Sequence, residues 1–216
     1  MRSRRPHSLL RWSLVLGFLV PALCVLSINL WVAQPALPPE PATGETVAYF
    51  AYGSNMNDRY LTRVRGVTRI SSEIATLPGY SVQFNLDGFD GLEPSFANLS
   101  PEPDAVAYGI MHRLPSGEFD KISSSEGSGY DIREVTVFLR DGSEVVANTL
   151  ISRPSLDQPE IPSRRYLGYL HEAAEYYDFP PEIVNAYDPQ KGAYVPIISE
   201  TFGAAILTAV WVKARM

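Results

Sequence analysis

Two kinds of hydrophobic pattern divide the chain. Residues 12–33 form an apolar run without a charged side chain, whereas the rest alternates short apolar stretches with polar turns. Within the second part, residues 47–52 are rich in aromatic and β-branched side chains and predict a buried strand. Gly53-Ser54-Asn55 follows directly and predicts a turn at the end of that strand. The pattern therefore indicates a membrane-like segment followed by a globular part.

The globular part predicts strands before helices. Further strands are predicted at 69–76, 80–85, 104–112, 130–139 and 144–152, and helices at 57–64, 114–124, 163–177 and from Pro180. Asp141-Gly142 predicts a hairpin turn between the last two strands. Few crossovers of helix length separate the strands, which favours an α+β fold with a mainly antiparallel sheet or small barrel and a few short helices. The apolar tail at 202–212 is too short for a membrane span and is interpreted as part of the core.

The apolar run at 12–33 is long enough to cross a bilayer, whose hydrocarbon core needs about 20 residues of helix. It follows a flank with four arginines and no acid, which favours a cytoplasmic N-terminus. We expect an uncleaved signal anchor and an extracytoplasmic domain, periplasmic in a Gram-negative cell; a removed signal peptide is the alternative. The expected boundaries are a basic flank at 1–11, a transmembrane helix at 12–33, a Pro-rich linker at 34–46 and one domain at 47–216.

Charge and cysteine content exclude several classes of function. The net charge of the 216-residue chain is −6 although its N-terminal flank is basic, so the globular part is acidic. An acidic domain is a poor partner for nucleic acid, whose affinity rests on neutralising phosphates. The single cysteine, Cys24, lies in the apolar run, and His7, His112 and His171 are interpreted as structural. Without clustered Cys or His, we expect no metal site.

Two local features still suggest chemistry. A strand that ends in Gly53-Ser54-Asn55 can present consecutive backbone N–H groups to an anion, although a plain turn is the simpler interpretation. Glu126 stands before a glycine at the end of a predicted helix, where the negative helix terminus disfavours a charged carboxylate. A carboxyl that gives up and takes back a proton suits general acid–base catalysis, although a solvated surface glutamate is the simpler interpretation.

Together these segments resemble the γ-glutamylcyclotransferase family, including γ-glutamylamine cyclotransferase and AIG2-like relatives. The stretch YFAYGSNM at 49–56 is similar to the family's N-terminal motif, and Glu126, Gly127 and Tyr130 match its distal Glu-Gly and Tyr. The resemblance covers about residues 47–188. It departs from some members at Thr149, where they carry a tyrosine.

The resemblance implies an enzyme that cyclises the γ-glutamyl group of a small γ-glutamyl compound to 5-oxoproline and releases an amine or amino acid. It implies Glu126 as the catalytic acid/base and a substrate-binding role for Tyr52, Gly53, Ser54, Asn55 and Tyr130. No cofactor is implied, and the oligomeric state is not predicted. A non-catalytic module that binds small ligands, or serves as a scaffold, and keeps the same fold is the alternative.

Overall fold

Five strands close into a barrel in the order β1, β3, β2, β4, β5. The structure is a computed structural model that describes residues 23–41, 44–126 and 129–215. Its strands are β1 Thr46–Ala51, β2 Ser71–Phe89, β3 Glu93–Pro115, β4 Tyr130–Leu139 and β5 Glu144–Ser152. Neighbouring strands pair antiparallel except β1 and β5, which run parallel and meet at Tyr49 and Asn148. The predicted small, mainly antiparallel barrel is therefore confirmed.

The strands β2 and β3 form one long hairpin, where the sequence predicted three separate strands. Pairing runs from Ser71 opposite Arg113 at the barrel end to Phe89 opposite Glu93 at the tip. The register shifts just after Pro78, where Gly79 takes a positive φ of 79°. This irregularity interrupts the alternation of apolar and polar residues, which explains why two short strands were predicted in place of β2.

The helices surround one end of the barrel. Residues 23–32 form α1, and the others are α2 Ser116–Glu126, α3 Arg164–Tyr176, α4 Pro181–Ala186 and α5 Ile198–Lys213. The predicted helix at 57–64 is present and takes the form of a π-helical turn at Tyr60–Val64. A 3₁₀ turn at Ser54–Met56 precedes it. Ser163 begins α3, because its Oγ accepts a hydrogen bond from the Tyr166 N–H at 3.1 Å.

The core joins the barrel interior to α2 and α3. Its fully buried apolar side chains come from β1, β3, α2, α3 and the π-helical turn, and include Phe50, Leu61, Ile110, Met111, Leu114, Ile122 and Leu170. Burial of each such side chain contributes about 1.5–3 kcal/mol. This packing holds the end of α2 and the start of α3 close to the C-terminal end of β1.

The predicted membrane anchor needs correction. Among residues 23–41, 44–126 and 129–215, no helix is long and apolar enough to cross a membrane. This finding contradicts the predicted single-pass location and extracytoplasmic domain, and leaves membrane attachment without support. The basic flank and residues 12–22 of the predicted span lie outside the described residues. The described remainder is α1, whose Trp31 ring lies 6.4 Å from that of Trp211 on α5 and whose Val32 is buried.

The Pro-rich segment that follows α1 lies against the barrel. The Leu37 N–H donates to Thr62 Oγ1 at 3.1 Å, and the Leu37 carbonyl accepts from Arg69 Nη1 at 3.0 Å. The Glu40 N–H donates to the Arg69 carbonyl at 2.8 Å. These bonds attach the segment to Thr62 on the π-helical turn and to Arg69 beyond it.

Candidate active site

A cavity of about 410 Å³ lies beside the C-terminal ends of β1 and β5, between the barrel, α3 and α5. Every residue predicted for the site lines it, namely Glu126, Tyr52, Gly53, Ser54, Asn55 and Tyr130. The fold thus brings together the turn after β1 and the end of α2. Asn55 in the turn and Glu126 in the helix are 71 residues apart in sequence.

The Glu126 carboxylate is held through one of its two oxygens. Arg65 Nη2 forms an ion pair with Glu126 Oε1, and Asn55 Nδ2 donates to the same oxygen at 3.3 Å. Within the described part of the chain, no side chain donates to Oε2. The Glu126 side chain keeps 20% of its surface exposed. One carboxylate oxygen is therefore fixed by the protein, while the other is left to meet a bound molecule.

Arg65 was not predicted as a site residue. Its side chain is only 5% exposed, its Nη1 donates to Ser125 Oγ at 2.6 Å, and its guanidinium lies 5.7 Å from the Tyr60 ring centroid. Burial acts to lower the pKa of Arg65, yet the negative charge of Glu126 outweighs it and the pKa is raised. Arg65 therefore stays cationic and neutralises the carboxylate beside it.

The π-helical turn explains why the sequence did not indicate Arg65. The Arg65 N–H donates to the Tyr60 carbonyl, five residues earlier, at 3.0 Å. That spacing inserts an extra residue into the turn and changes the face to which the next side chain points. Arg63 and Arg65 both resemble solvated charges on a short helix, so ordinary helical periodicity could not separate them.

Gly53 allows the turn after β1 to approach α3 closely. A Cβ added at Gly53 would lie 2.9 Å from Tyr166 Oη, which itself accepts a hydrogen bond from the Ala97 N–H at 3.2 Å. Ser54 and Asn55 then open the 3₁₀ turn, and the first N–H groups of a helical turn have no acceptor within it. This loop can offer backbone donors to an anionic or carbonyl oxygen.

A buried histidine forms a hydrogen bond to the backbone of this loop. His112 Nε2 lies 2.9 Å from the Asn55 carbonyl oxygen and Nδ1 lies 2.8 Å from Ser72 Oγ. Because a carbonyl can only accept, Nε2 carries the proton and Nδ1 accepts from the serine. Burial lowers the pKa of His112 to about 4, so the ring is neutral at physiological pH. His112 was predicted to be structural, and in the structure its hydrogen bond to the Asn55 carbonyl positions Asn55.

Asn55 connects the loop to the carboxylate. Its Nδ2 donates to Tyr49 Oη at 3.0 Å as well as to Glu126. Its Oδ1 is buried and has no hydrogen-bond partner among the described residues. A buried acceptor of this kind normally has a donor. Asn55 thus helps to hold one oxygen of Glu126, and Glu126 Oε2 is left as an acceptor suited to a cationic group.

The tyrosines of the site are neutral phenols. Burial first, and then the negative charge of Glu126, raise the pKa values of Tyr49 and Tyr130. Burial also raises the pKa of Tyr52, whose hydroxyl donates to the Leu150 carbonyl on β5. The hydroxyl of Tyr52 thus connects the end of β1 to β5, and the Tyr52 ring forms part of the cavity wall.

Thr149, where some relatives carry a tyrosine, does not reach the cavity. It is fully buried, and its Oγ1 donates to the Phe50 carbonyl at 2.9 Å across the parallel pair of β1 and β5. Its neighbours Leu150 and Ser152 line the cavity instead. Alternation along β5 therefore turns Leu150 and Ser152 towards the cavity and Thr149 away from it.

One side of the cavity was not predicted at all. Ile206 and Val210 of α5 line it, together with Leu86 and Phe96 from the β2–β3 hairpin. The sequence identified the tail only as part of the core. Among the described residues no group of three or more His, Cys, Asp or Glu is placed to hold a metal ion.

Comparisons with known proteins agree with this architecture. No family model matches the chain. It is 26% identical over 196 residues to the γ-glutamyl cyclotransferase aclK of Aspergillus oryzae, covering 80% of this chain and 72% of that protein. It is 29% identical over 160 residues to verK of Clonostachys rogersoniana, also named a γ-glutamyl cyclotransferase, covering 61% of this chain and 88% of that protein.

A solved structure of a γ-glutamyl cyclotransferase superposes with a TM-score of 0.55 at 20% identity, covering 66% of this chain and 86% of that one. At this identity the match shows a shared fold. The closed five-stranded barrel with its flanking helices is therefore a γ-glutamylcyclotransferase-like fold. Together with the sequence relatives, this shared fold confirms the resemblance seen in the motifs and supports a γ-glutamylcyclotransferase-like enzyme.

Proposed function

We propose that this enzyme cyclises the γ-glutamyl group of a small γ-glutamyl compound, forming 5-oxoproline and releasing an amine or amino acid. One observation carries the proposal. Glu126 and the Gly53–Asn55 turn line the same cavity, and Asn55 Nδ2 lies 3.3 Å from Glu126 Oε1. The names of the fungal relatives aclK and verK support the same reaction class.

The reaction needs proton transfer more than an external nucleophile. The α-amine of the glutamyl group attacks its own γ-carbonyl carbon, so both reactants belong to one molecule. Well-oriented intramolecular reactions reach effective molarities of about 10⁵–10⁸ M. A site that fixes the folded conformation of the substrate therefore supplies much of the rate acceleration without cysteine, histidine or metal at the reacting atoms.

Glu126 is the proposed carrier of the protons. The α-ammonium group loses one proton to expose its lone pair and a second as the new C–N bond of the lactam forms. When the old C–N bond breaks, the departing nitrogen takes one proton to leave as an amine and another to become an ammonium ion. Glu126 Oε2, which no described side chain engages, is placed to pass these protons, while Arg65 and Asn55 hold Oε1.

The surrounding groups match the charges of the substrate. Glu126 Oε2 is the acceptor for the α-ammonium group, while Arg65 and Asn55 hold Oε1. The N–H groups at the start of the 3₁₀ turn, in Ser54 and Asn55, are donors for the oxyanion that develops on the γ-carbonyl oxygen. Tyr52 and Tyr130 form walls beside the glutamyl chain.

The test is release of 5-oxoproline by the purified full-length chain, with Glu126→Gln as the variant. Glutamine keeps an oxygen for Arg65 but cannot carry a proton, so we expect kcat to fall by about 10²–10⁴-fold. Asp120→Asn is the matched control, because Asp120 is exposed on the same helix, and it should retain parental activity. A Glu126→Gln enzyme within a few-fold of the parent would remove Glu126 from the mechanism.

A further inference from the structure

The helix α5 crosses one side of the cavity and is fixed near both of its ends. Near its start, the Phe202 ring packs on Phe89 at the tip of the β2–β3 hairpin, with ring centroids 4.8 Å apart. Just beyond its last residue, Arg215 Nη1 donates to the Val64 carbonyl at 3.2 Å. Val64 directly precedes Arg65, which pairs with Glu126. The helix thus extends from the hairpin tip to the vicinity of the catalytic carboxylate.

Between these two attachments α5 presents an apolar face to the cavity. Ile206 and Val210 are four residues apart and share one side of the helix. Both line the cavity, as do Leu86 and Phe96, which are paired in register on β2 and β3. The polar groups that suit the glutamyl part come from the turn after β1 and from α2. The cavity therefore combines a polar part at Glu126 with an apolar part beneath α5.

The arginines that line the cavity are already neutralised. Arg65 pairs with Glu126, and Arg165 Nη2 lies 2.9 Å from Glu93 Oε1. Glu93 is 2% exposed and also accepts a hydrogen bond from Ser163 Oγ at 2.7 Å, so its charge is engaged within the protein. A leaving group with an extra carboxylate would need to disturb one of these pairs, and it would also meet the negative charge of Asp87 on the cavity lining.

We propose that α5 selects the leaving group of the reaction. The site takes γ-glutamyl compounds whose released amine or amino acid carries an apolar side chain, which packs against Ile206 and Val210. This inference rests on the proposed cyclotransferase activity and specifies its substrate class. An apolar pocket discriminates by about 10–200-fold per methylene group, so the preference is measurable in kcat/KM.

The test compares γ-glutamyl-leucine, γ-glutamyl-glycine and γ-glutamyl-glutamate as substrates of the full-length chain, with 5-oxoproline as the readout. We expect kcat/KM for the leucine compound to exceed that for the other two by about tenfold or more. The double variant Ile206→Thr with Val210→Thr should reduce this preference by about tenfold. Val212→Thr is the control, because Val212 is on the same helix, 43% exposed and outside the cavity lining, and it should keep the preference.

Two results would overturn the inference, and they differ from failure of the proposed function. Equal kcat/KM for the leucine and glycine compounds, or a preference unchanged in the double variant, would show that α5 does not select the leaving group while cyclisation itself stands. Absence of 5-oxoproline from every compound would overturn the proposed activity as well. If the double variant does not fold, the single variants Ile206→Thr and Val210→Thr take its place, and a preference unchanged in both overturns the inference.

Discussion

Acidification should destabilise this enzyme through His112, the residue that holds Asn55 in place. His112 is fully buried and burial lowers its pKa to about 4, compared with about 6.5 for a histidine in an unfolded chain. Between these two values the unfolded chain binds a proton that the folded protein does not. The stabilisation is therefore complete above pH 6.5 and is lost as the pH falls towards 4.

The size of the effect follows from the two pKa values. At pH 5 the unfolded histidine is almost fully protonated, and the folded one is still mostly neutral. Linkage then gives a loss of about 2 kcal/mol in the free energy of unfolding between pH 7.5 and pH 5. Protonation would also remove the acceptor at Nδ1, which now receives the hydrogen bond from Ser72. The loop that carries Asn55 would lose part of its support.

The measurement is urea denaturation of the full-length chain at pH 7.5 and pH 5, followed by circular dichroism. His112→Gln removes the titrating group and should lower the pH-dependent loss by about 2 kcal/mol relative to the parent. His171→Gln is the control, because its side chain is 27% exposed and lies in α3 away from the loop. An equal pH-dependent loss in the parent and in His112→Gln, or an imidazole that titrates near 6.5 by NMR in the folded protein, would refute the reasoning.

Three further predictions concern the same cavity. Gly53→Ala would place a methyl group 2.9 Å from Tyr166 Oη and so displace the turn after β1. We expect kcat/KM for 5-oxoproline release to fall by about tenfold or more, while circular dichroism shows that the barrel is intact. Arg65→Gln leaves Glu126 without its cation and should lower the free energy of unfolding, measured by urea titration, by about 3 kcal/mol. This value is near the lower limit for breaking a buried ion pair, because Glu126 is partly exposed. Chelators and thiol reagents should leave activity unchanged, since the single cysteine, Cys24, is outside the cavity lining and no described group of His, Cys, Asp or Glu is placed to hold a metal. Loss of activity with a chelator and recovery with a divalent ion would contradict this.

The parts of the site that are local in sequence were predictable. The turn after β1 is marked by a buried aromatic strand followed by Gly53-Ser54-Asn55, and Glu126 by a helix that ends before a glycine. Strands β4 and β5 were also predicted, because alternation and Asp141-Gly142 mark both strands and their turn. In each case a short stretch of chain contains both the signal and the structure that it specifies.

The parts that depend on tertiary contacts were not predictable. Arg65 reaches Glu126 through a π-helical turn, which hydrophobic periodicity does not indicate. The position of α5 over the cavity depends on contacts such as Phe202 with Phe89, between distant segments of the chain. The predicted location was wrong because length and flanking charge do not distinguish an apolar helix that spans a bilayer from one that packs on a protein. The described part of the run, α1, packs through Trp31 on Trp211 of α5.

Closure of the barrel between β1 and β5 has a consequence for how the protein folds. The bond from Thr149 Oγ1 to the Phe50 carbonyl joins residues 99 positions apart, and the bond from Tyr52 to Leu150 joins residues 98 apart. Such contacts form slowly, because chain entropy is lost before the contacts compensate for it. We expect local hairpins such as β4–β5 to form early in refolding and the β1–β5 pair to form late. Since Tyr52 directly precedes the turn that we propose binds the substrate, recovery of activity should coincide with this last step and lag behind recovery of β-structure.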